Sequence, residues 1–596
     1  MVQERLNRLR KIMEKEGIDW YLVPSEDFHG SEYVGDYFKC REFITGFTGS
    51  AGTALIGREE GGLWTDGRYF LQAASELKES GLTLYRQGEA GVPSIVEFLK
   101  NHIKRGMQLG ADYRTLSADA AENYKRIALA NGGNFIDTGD LLEKIWENRP
   151  EAPHSKAILL QEDISGKSTS EKIALVREKM KEKNADVLLL SSLDEIAWLF
   201  NIRGNDIACC PLLMAYAMIS QQKAYLFLKK EAVTEELEKE GIQQGFTLLD
   251  YESIYDRIRQ FSAHARVWID RSRCNAALCQ AASGAETCLD FPSPVILLKA
   301  IKNDTEIEGF RKAHLADGLA VTRFMYWLSQ NAGKEEITEI SAAEKQEEFR
   351  RQADSYVMPS FDPISAYGTH GAIVHYSADE NTNIKVENHG FLLMDTGGHY
   401  TFGSTDITRT FAVGALSYEE KKAYTKVLIG NLRLAATIFP YGCSGENLDL
   451  AARLPLWNDM KDFRHGTGHG VGHIMNVHEG PQAFRWRHLA GRATAVLEPG
   501  MVISDEPGYY EDGRFGIRLE NLLVCREMGQ SEYGRFLGWE VLTVVPFDLN
   551  AVLPQEMESG DKELLNSYHL AVRERLFPLL TDENERKWLL QATRAI

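Results

Sequence analysis

The chain lacks any hydrophobic run long enough to cross a bilayer. Its longest apolar stretch, residues 208–219, falls short of the roughly 20 residues a spanning helix needs and suits buried strands better. The first 17 residues, MVQERLNRLRKIMEKEG, are charged throughout and offer no apolar core of signal-peptide length. Cysteine is sparse and scattered: Cys40, Cys209, Cys210, Cys274, Cys279, Cys288, Cys443 and Cys525 form no CxxC, and the adjacent pair at 209–210 is poorly placed to bridge. Thiols so spread read as reduced core residues in a cytoplasm, and a zinc-thiolate site is not expected. Positive charge is also short. Lysine and arginine number 67 against 86 acidic residues, a formal net charge of -19, which repels a phosphate backbone and favours solubility. Neither nucleic acid nor membrane is an expected partner.

What remains is an ordinary globular composition, 44% hydrophobic and 26% charged over 596 residues, enough for several domains. Leu6, Leu9, Ile12 and Met13 follow helical spacing, Gly17 stops the helix, and Trp20–Val23 reads as a strand. TALIG and GLWTDGRYF suggest further strands. The pattern then returns: Ser168 and Glu171 form a capping box before a helix bearing Ile173, Val176 and Met180, and ADVLLLSSL follows as a strand. Two related α/β domains in tandem are predicted, 1–150 and 151–300, with ENRPEAPHSK as their linker. A boundary near FPSPVILLKAIKND opens a third domain, 301–596, whose first helix spans Asp304 to Leu328 with a capping box at Thr305 and Glu308.

The chemistry lies beyond that boundary. Asp395 and Asp406 flank a glycine turn in FLLMDTGGHYTFGSTDITRTF, where a hairpin would set two carboxylates side by side. Burying both is costly unless a cation or a proton neutralises them. Then HGTGHGVGHIMNVHEGP concentrates His465, His469, His473 and His478, four of the chain's 15 histidines. Val471 breaks the dinucleotide fingerprint GxGxxG, and no HExxH is present. Glu506 and Glu520 sit in apolar strand-like settings, where either alone would read as a solvent-facing residue. Taken together, two aspartates, a histidine and two glutamates form a hard, oxygen-rich set. It suits Mn(II), Mg(II), Co(II) or Zn(II), and four carboxylates can neutralise two such ions about 3.5–4 Å apart.

These motifs resemble the pita-bread metallopeptidases and, within them, the Xaa-Pro aminopeptidases. The resemblance runs through GAIVHYS, FLLMDTGGHY, TDITRTF, HGTGHGVGH, NVHEGP, ISDEPGYY and GIRLEN, and extends to FITGFTGSAGTALI and LWTDGRYFLQA near the start and LTVVPFDLN near the end. It implies two creatinase-like α/β domains before a catalytic α+β pita-bread domain, and cleavage of the bond between an N-terminal residue and proline. The family pattern makes Asp395, Asp406, His469, Glu506 and Glu520 the ligands of two metal ions, manganese expected and cobalt or zinc compatible. Asp406 and Glu520 would bridge; Asp395 would complete one ion, and His469 with Glu506 the other. It also implies that Glu506 accepts the attacking water's proton, and that His375 and His478 bind substrate and stabilise the oxyanion. His465 would be a further pocket residue. Tyr510 and Arg518 would support the site, Arg518 either by touching substrate or by pairing with a carboxylate. A homodimer is usual among such enzymes.

Three other readings compete. A prolidase shares fold and metals but takes only dipeptides; the two preceding domains and the HGTGHGVG form favour longer peptides. Creatinase hydrolyses without metals, which the retained ligand set opposes. A non-catalytic binding module would have no reason to keep five ligands with His375 and His478. The assignment predicts that Glu506→Gln abolishes peptide turnover, read as release of the first residue; near-full activity with metal bound would misplace the base.

Overall fold

The computed structural model describes residues 2–334, 336–488 and 495–596, which divide into two compact units, Met1–Ile296 and Leu297–Ile596. The first unit opens with helix Val2–Glu16, which buries Leu6, Leu9 and Met13 and ends at Gly17 in the left-handed region, φ 71°. Strand Trp20–Pro24 follows, and alternation sends its residues two ways. Tyr21 and Val23 pack with the helix, whereas Trp20 and Leu22 pack with Trp64, Phe98 and Leu99 on the opposite face.

That strand lies at the switch of a six-stranded sheet. It runs antiparallel to Thr53–Gly57 and parallel to Gln108–Ala111; Gly61–Thr65 and Thr83–Arg86 extend one side, Asn134–Asp137 the other. A second sheet repeats this arrangement strand for strand. Val187–Leu190 runs antiparallel to Ala215–Ser220 and parallel to Arg266–Ile269, with Ala224–Leu228, Thr247–Asp250 and Thr287–Asp290 outside them. The tandem of related α/β domains is therefore real, and the Ser168–Glu171 capping box starts helix Thr169–Glu182 as read. Segment 149–156 has no regular structure yet is held at both ends. Arg149 pairs with Asp140 at 2.5 Å and lies over the Tyr37 ring, while Ser155 donates its N–H to Asp206.

One expected strand stops short. Gly61–Thr65 ends before Asp66, whose carboxylate takes both the N–H and the guanidinium of Arg68, and Phe70 already begins helix Phe70–Glu76. The Asx turn, made from the aspartate's own side chain, ends the strand. Beyond the turn, Tyr69 is buried in the core of this domain.

The second unit is α+β. Ile364–Tyr367, Phe391–Thr396 and Ile407–Ala412 form an antiparallel sheet; Val502–Asp505 and Asn521–Ser531 are central in a six-stranded one that ends in Gly468–Gly470 and Glu479–Phe484. Helix Asp304–Asn331 lays Val321, Phe324 and Leu328 against Leu392 and Met394. Alternation therefore turns Asp395 to the other face. Helix Tyr418–Ala435 brings Tyr424, Val427 and Leu428 against Phe515, Ile517 and Leu519. All eight cysteines are free, and no helix among the described residues is long and apolar enough to cross a membrane.

Helix Asp304–Asn331 is capped earlier than expected. Asn303 accepts the N–H groups of Thr305 and Glu306, and Glu306 returns to the Asn303 N–H at 2.9 Å; Thr305 and Glu308 lie inside the helix. Asparagine caps as well as threonine, so the first residue with a free carbonyl-like side chain takes the role. Asn303→Ala should lower unfolding stability by about 1 kcal/mol in denaturant titration, and Thr305→Ala by less than about half that. Equal losses would assign the cap to Thr305.

Candidate metal centre

Asp395 and Asp406 come from neighbouring strands of the small sheet, with Asp395 opposite Thr408 and Thr396 opposite Ile407. The hairpin between them closes because Gly397 has no side chain. A Cβ there would lie 2.1 Å from the Thr405 carbonyl and 2.2 Å from the Ser360 hydroxyl. Gly468 plays the same part across the site, where a Cβ would meet the Ser504 carbonyl at 1.8 Å. This approach sets His469 beside the strand that delivers Glu506, and the Glu506 N–H donates to the Thr467 carbonyl at 2.8 Å. Glu520 enters between strands Phe515–Arg518 and Asn521–Ser531, its N–H on the Thr408 carbonyl.

The side chains converge. Asp406, His469 and Glu520 each offer one ligand atom, all within 4.8 Å of one another. His469 Nε2 lies 3.5 Å from Asp406 Oδ2 and 3.4 Å from Glu506 Oε1. Atoms that share a cation at ordinary metal–ligand distances sit about 3–3.5 Å apart, so this spacing fits. His469 Nδ1 donates to the Gly470 carbonyl at 2.9 Å, which leaves the Nε2 lone pair facing the carboxylates. Asp395 gives Oδ2 to Arg518, at 2.7 and 3.1 Å, and its buried Oδ1 has no hydrogen-bond partner. A hard donor set with an orphaned carboxylate oxygen is what a cation site requires.

The electrostatics agree. Burial raises the proton affinity of Asp395 despite Arg518, and Asp406 adds to it. Burial, partly opposed by His469 and Arg518, raises that of Glu506; burial with the fields of Asp406 and Asp395 lifts Glu520 well above the carboxylate range. For His469, burial favours the neutral ring, but hydrogen bonding to Asp406 and the charge of Glu506 prevail and push it up to about 9.

Residues 5–145 and 148–306 each match the Creatinase/Prolidase N-terminal domain. Residues 308–527 match Metallopeptidase family M24, and 535–596 the C-terminal region of peptidase M24. The Xaa-Pro aminopeptidase 1 of Dictyostelium discoideum is 36% identical across 99% of this chain and 96% of its own. The chain belongs to the Xaa-Pro aminopeptidases of metallopeptidase family M24. Aminopeptidase P2 of Arabidopsis thaliana is 36% identical over 100% of this chain and 89% of its own. Among solved structures, the X-prolyl aminopeptidase of Caenorhabditis elegans, described as a cytosolic enzyme with a di-nuclear active site, matches with a TM-score of 0.95 at 32% identity over 100% of both chains. The Xaa-Pro dipeptidase of Bacillus anthracis, TM-score 0.52 and 26% identical, covers 64% of this chain and 99% of its own.

The remaining candidates of this Xaa-Pro aminopeptidase family member take definite places. His478 meets the His469 ring edge-on, centroids 4.3 Å apart. Arg518 pairs with Asp395 and donates to the Tyr510 hydroxyl at 2.8 Å. That hydroxyl then serves His465 Nε2 at 2.8 Å, while His465 Nδ1 donates to the Gly466 carbonyl. Tyr510 and His465 thus stand in a directed chain that starts at Asp395. His375 lies half-buried on the turn after residues 368–372, a segment packed against strand Phe515–Arg518 where Gly371 and Gly516 touch backbone to backbone. His473 is structural: its Nε2 donates to the Phe402 carbonyl at 2.9 Å.

Three supporting residues escaped the sequence reading. Thr408 donates to Glu520 Oε2 at 2.8 Å, and buried Arg409 grips the Glu520 carbonyl. Ser504 accepts the His469 N–H and donates to Glu506 Oε1. All three lie inside TDITRTF and ISDEPGYY, but residue type alone did not distinguish them from their neighbours.

A carboxylate with raised folded pKa holds a proton that the unfolded chain has lost, so its contribution to stability falls as pH rises. His469 acts in the same sense. Its contribution is full below the unfolded value of about 6.5 and is lost as pH rises through about 9. Cations replace those protons. The gap in thermal midpoint between Mn(II)-loaded and chelator-stripped protein should therefore widen from pH 6 to pH 9 in scanning calorimetry. A constant gap would mean that these groups do not bind the metal.

Proposed function

We propose that the protein removes the N-terminal residue from peptides whose second residue is proline, using two divalent cations, with manganese the expected one and cobalt or zinc compatible. The reading rests on one observation: Asp406, His469 and Glu520 converge within 4.8 Å beside Glu506 and the orphaned oxygen of Asp395, in a chain that matches an X-prolyl aminopeptidase over its whole length. Asp406 and Glu520 would bridge the ions, with Asp395 on one and His469 with Glu506 on the other. When bound, the cations would supply a water of lowered proton affinity and polarise the scissile carbonyl.

The chain's own residues would do the rest. Glu506 suits proton acceptance, since burial has raised its affinity for a proton and Ser504 orients one oxygen. His478, beside His469, and His375 would hydrogen-bond the carbonyl as its oxygen gains charge. Arg518 would fix Asp395, not touch substrate. His465 has both ring nitrogens engaged and suits the pocket wall. An X-Pro bond offers no N–H and is stiff, so its recognition needs shape more than hydrogen bonds.

The same reading takes the chain as three domains, 1–150, 151–300 and 301–596, working as a cytoplasmic homodimer. The test is cleavage by chelator-stripped protein before and after Mn(II). Arg-Pro-Pro should lose its arginine only once metal returns, whereas Ala-Pro and Arg-Ala-Ala should stay intact. Cleavage of Ala-Pro alone would make the protein a dipeptidase, and no cleavage with any divalent ion would make it a binding module.

A further inference from the structure

Glu339 is the first residue of helix Glu339–Arg350 and is wholly buried, yet its carboxylate belongs to no part of the metal cluster. It gathers donors from one loop. Oε1 accepts the Tyr367 N–H at 2.7 Å and His370 Nδ1 at 2.8 Å; Oε2 accepts the Tyr376 hydroxyl at 2.9 Å and the Ile384 N–H at 3.2 Å. The Glu339 N–H in turn donates to the Ile384 carbonyl. His370 and Tyr376 stack 4.4 Å apart, which closes the arrangement around the carboxylate.

The four anchored residues bracket His375. Tyr367 and Ile384 are the roots of the loop, His370 lies on the turn before His375, and Tyr376 is its immediate neighbour in sequence. A carboxylate offers about four lone-pair directions and no donor, so it can hold these N–H and O–H groups at once. The first turn of a helix is also where a negative charge is favoured. Few residues could replace it: glutamine would point an NH2 at groups that themselves donate, and aspartate would fall short.

We infer that Glu339 is a positioning residue for catalysis, holding the loop that presents His375 to the substrate carbonyl. The inference rests on the reading of His375 given above. His375 lies on a turn, outside any helix or strand, and displacement of about 1 Å at a reacting group can cost about 100-fold in rate. Glu339 supplies from below what regular structure would otherwise supply.

The experiment is a double-mutant cycle on the manganese-loaded, full-length protein with Arg-Pro-Pro. Glu339→Gln should lower kcat by about 10- to 100-fold, and Tyr376→Phe by less, with bound manganese per chain unchanged by elemental analysis. In a His375→Ala background neither change should slow turnover further, because the group they position is gone. If their effects multiply with that of His375→Ala, or if manganese is lost, Glu339 acts on the fold or the metals and the inference falls. If His375→Ala itself turns over at the wild-type rate, the role of His375 falls first and this inference with it. Tyr376→Phe removes one hydroxyl and carries the cycle should Glu339→Gln not fold.

Discussion

Four carboxylates, Asp395, Asp406, Glu506 and Glu520, are drawn together by the second unit, three of them buried and Glu506 partly exposed. Like charges at such range repel by several kcal/mol even with generous screening. Arg518 and His469 offset part of that repulsion, but each is already committed, one to Asp395 and the other between Asp406 and Glu506. That repulsion is part of why these buried carboxylates hold protons so strongly, and divalent cations would relieve it in the protons' place. Much of the surrounding structure serves to hold the carboxylates in place against it. Thr408 and Arg409 fasten Glu520, Ser504 fastens Glu506, and the buried Arg350–Asp317 pair bonds Thr396 and Thr405, the residues next to the two aspartates.

Glycine makes this packing possible. HGTGHGVGH has the look of a flexible loop, yet Gly468 and Gly470 form the strand that carries His469. At Gly468 a Cβ would strike the Ser504 carbonyl, and at Gly470 the Glu479 carbonyl, 2.4 Å away. The glycines are there for backbone approach, not for freedom of movement. Gly397 does the same between the aspartates.

This explains what was legible in the sequence. The candidate ligands stood out only as a set: each alone reads as an ordinary polar residue, but two aspartates, a histidine and two glutamates in apolar or glycine-rich surroundings call for a cation. The tandem domains were legible because an amphipathic helix followed by an apolar strand recurs, at residues 6–23 and again at 173–190. The misplaced cap at Thr305 shows the limit: three adjacent polar residues, Asn303, Asp304 and Thr305, all make acceptable caps, and only tertiary context chose Asn303. Likewise GLWTDGRYF reads as one extended run until Asp66 folds back on Arg68. Thr408 and Ser504 lie inside motifs that were read, yet nothing marked them as supports, and Glu339 lies outside every motif; a single polar residue acquires meaning only from what the fold brings to it.

The chain Asp395–Arg518–Tyr510–His465 shows how direction arises from such contacts. Arginine can only donate, so it donates both to Asp395 and to the Tyr510 oxygen. That leaves the phenol proton for His465 Nε2, which must accept it, and Nδ1 carries the proton given to Gly466. The chain begins with a guanidinium that never titrates. Burial pushes the Tyr510 phenol up to about 12, so it stays protonated. His465 is thus linked through Tyr510 to the same arginine that fixes Asp395. Glu506 stands apart from this chain: burial has raised its affinity for a proton, and the Ser504 hydroxyl orients one of its oxygens.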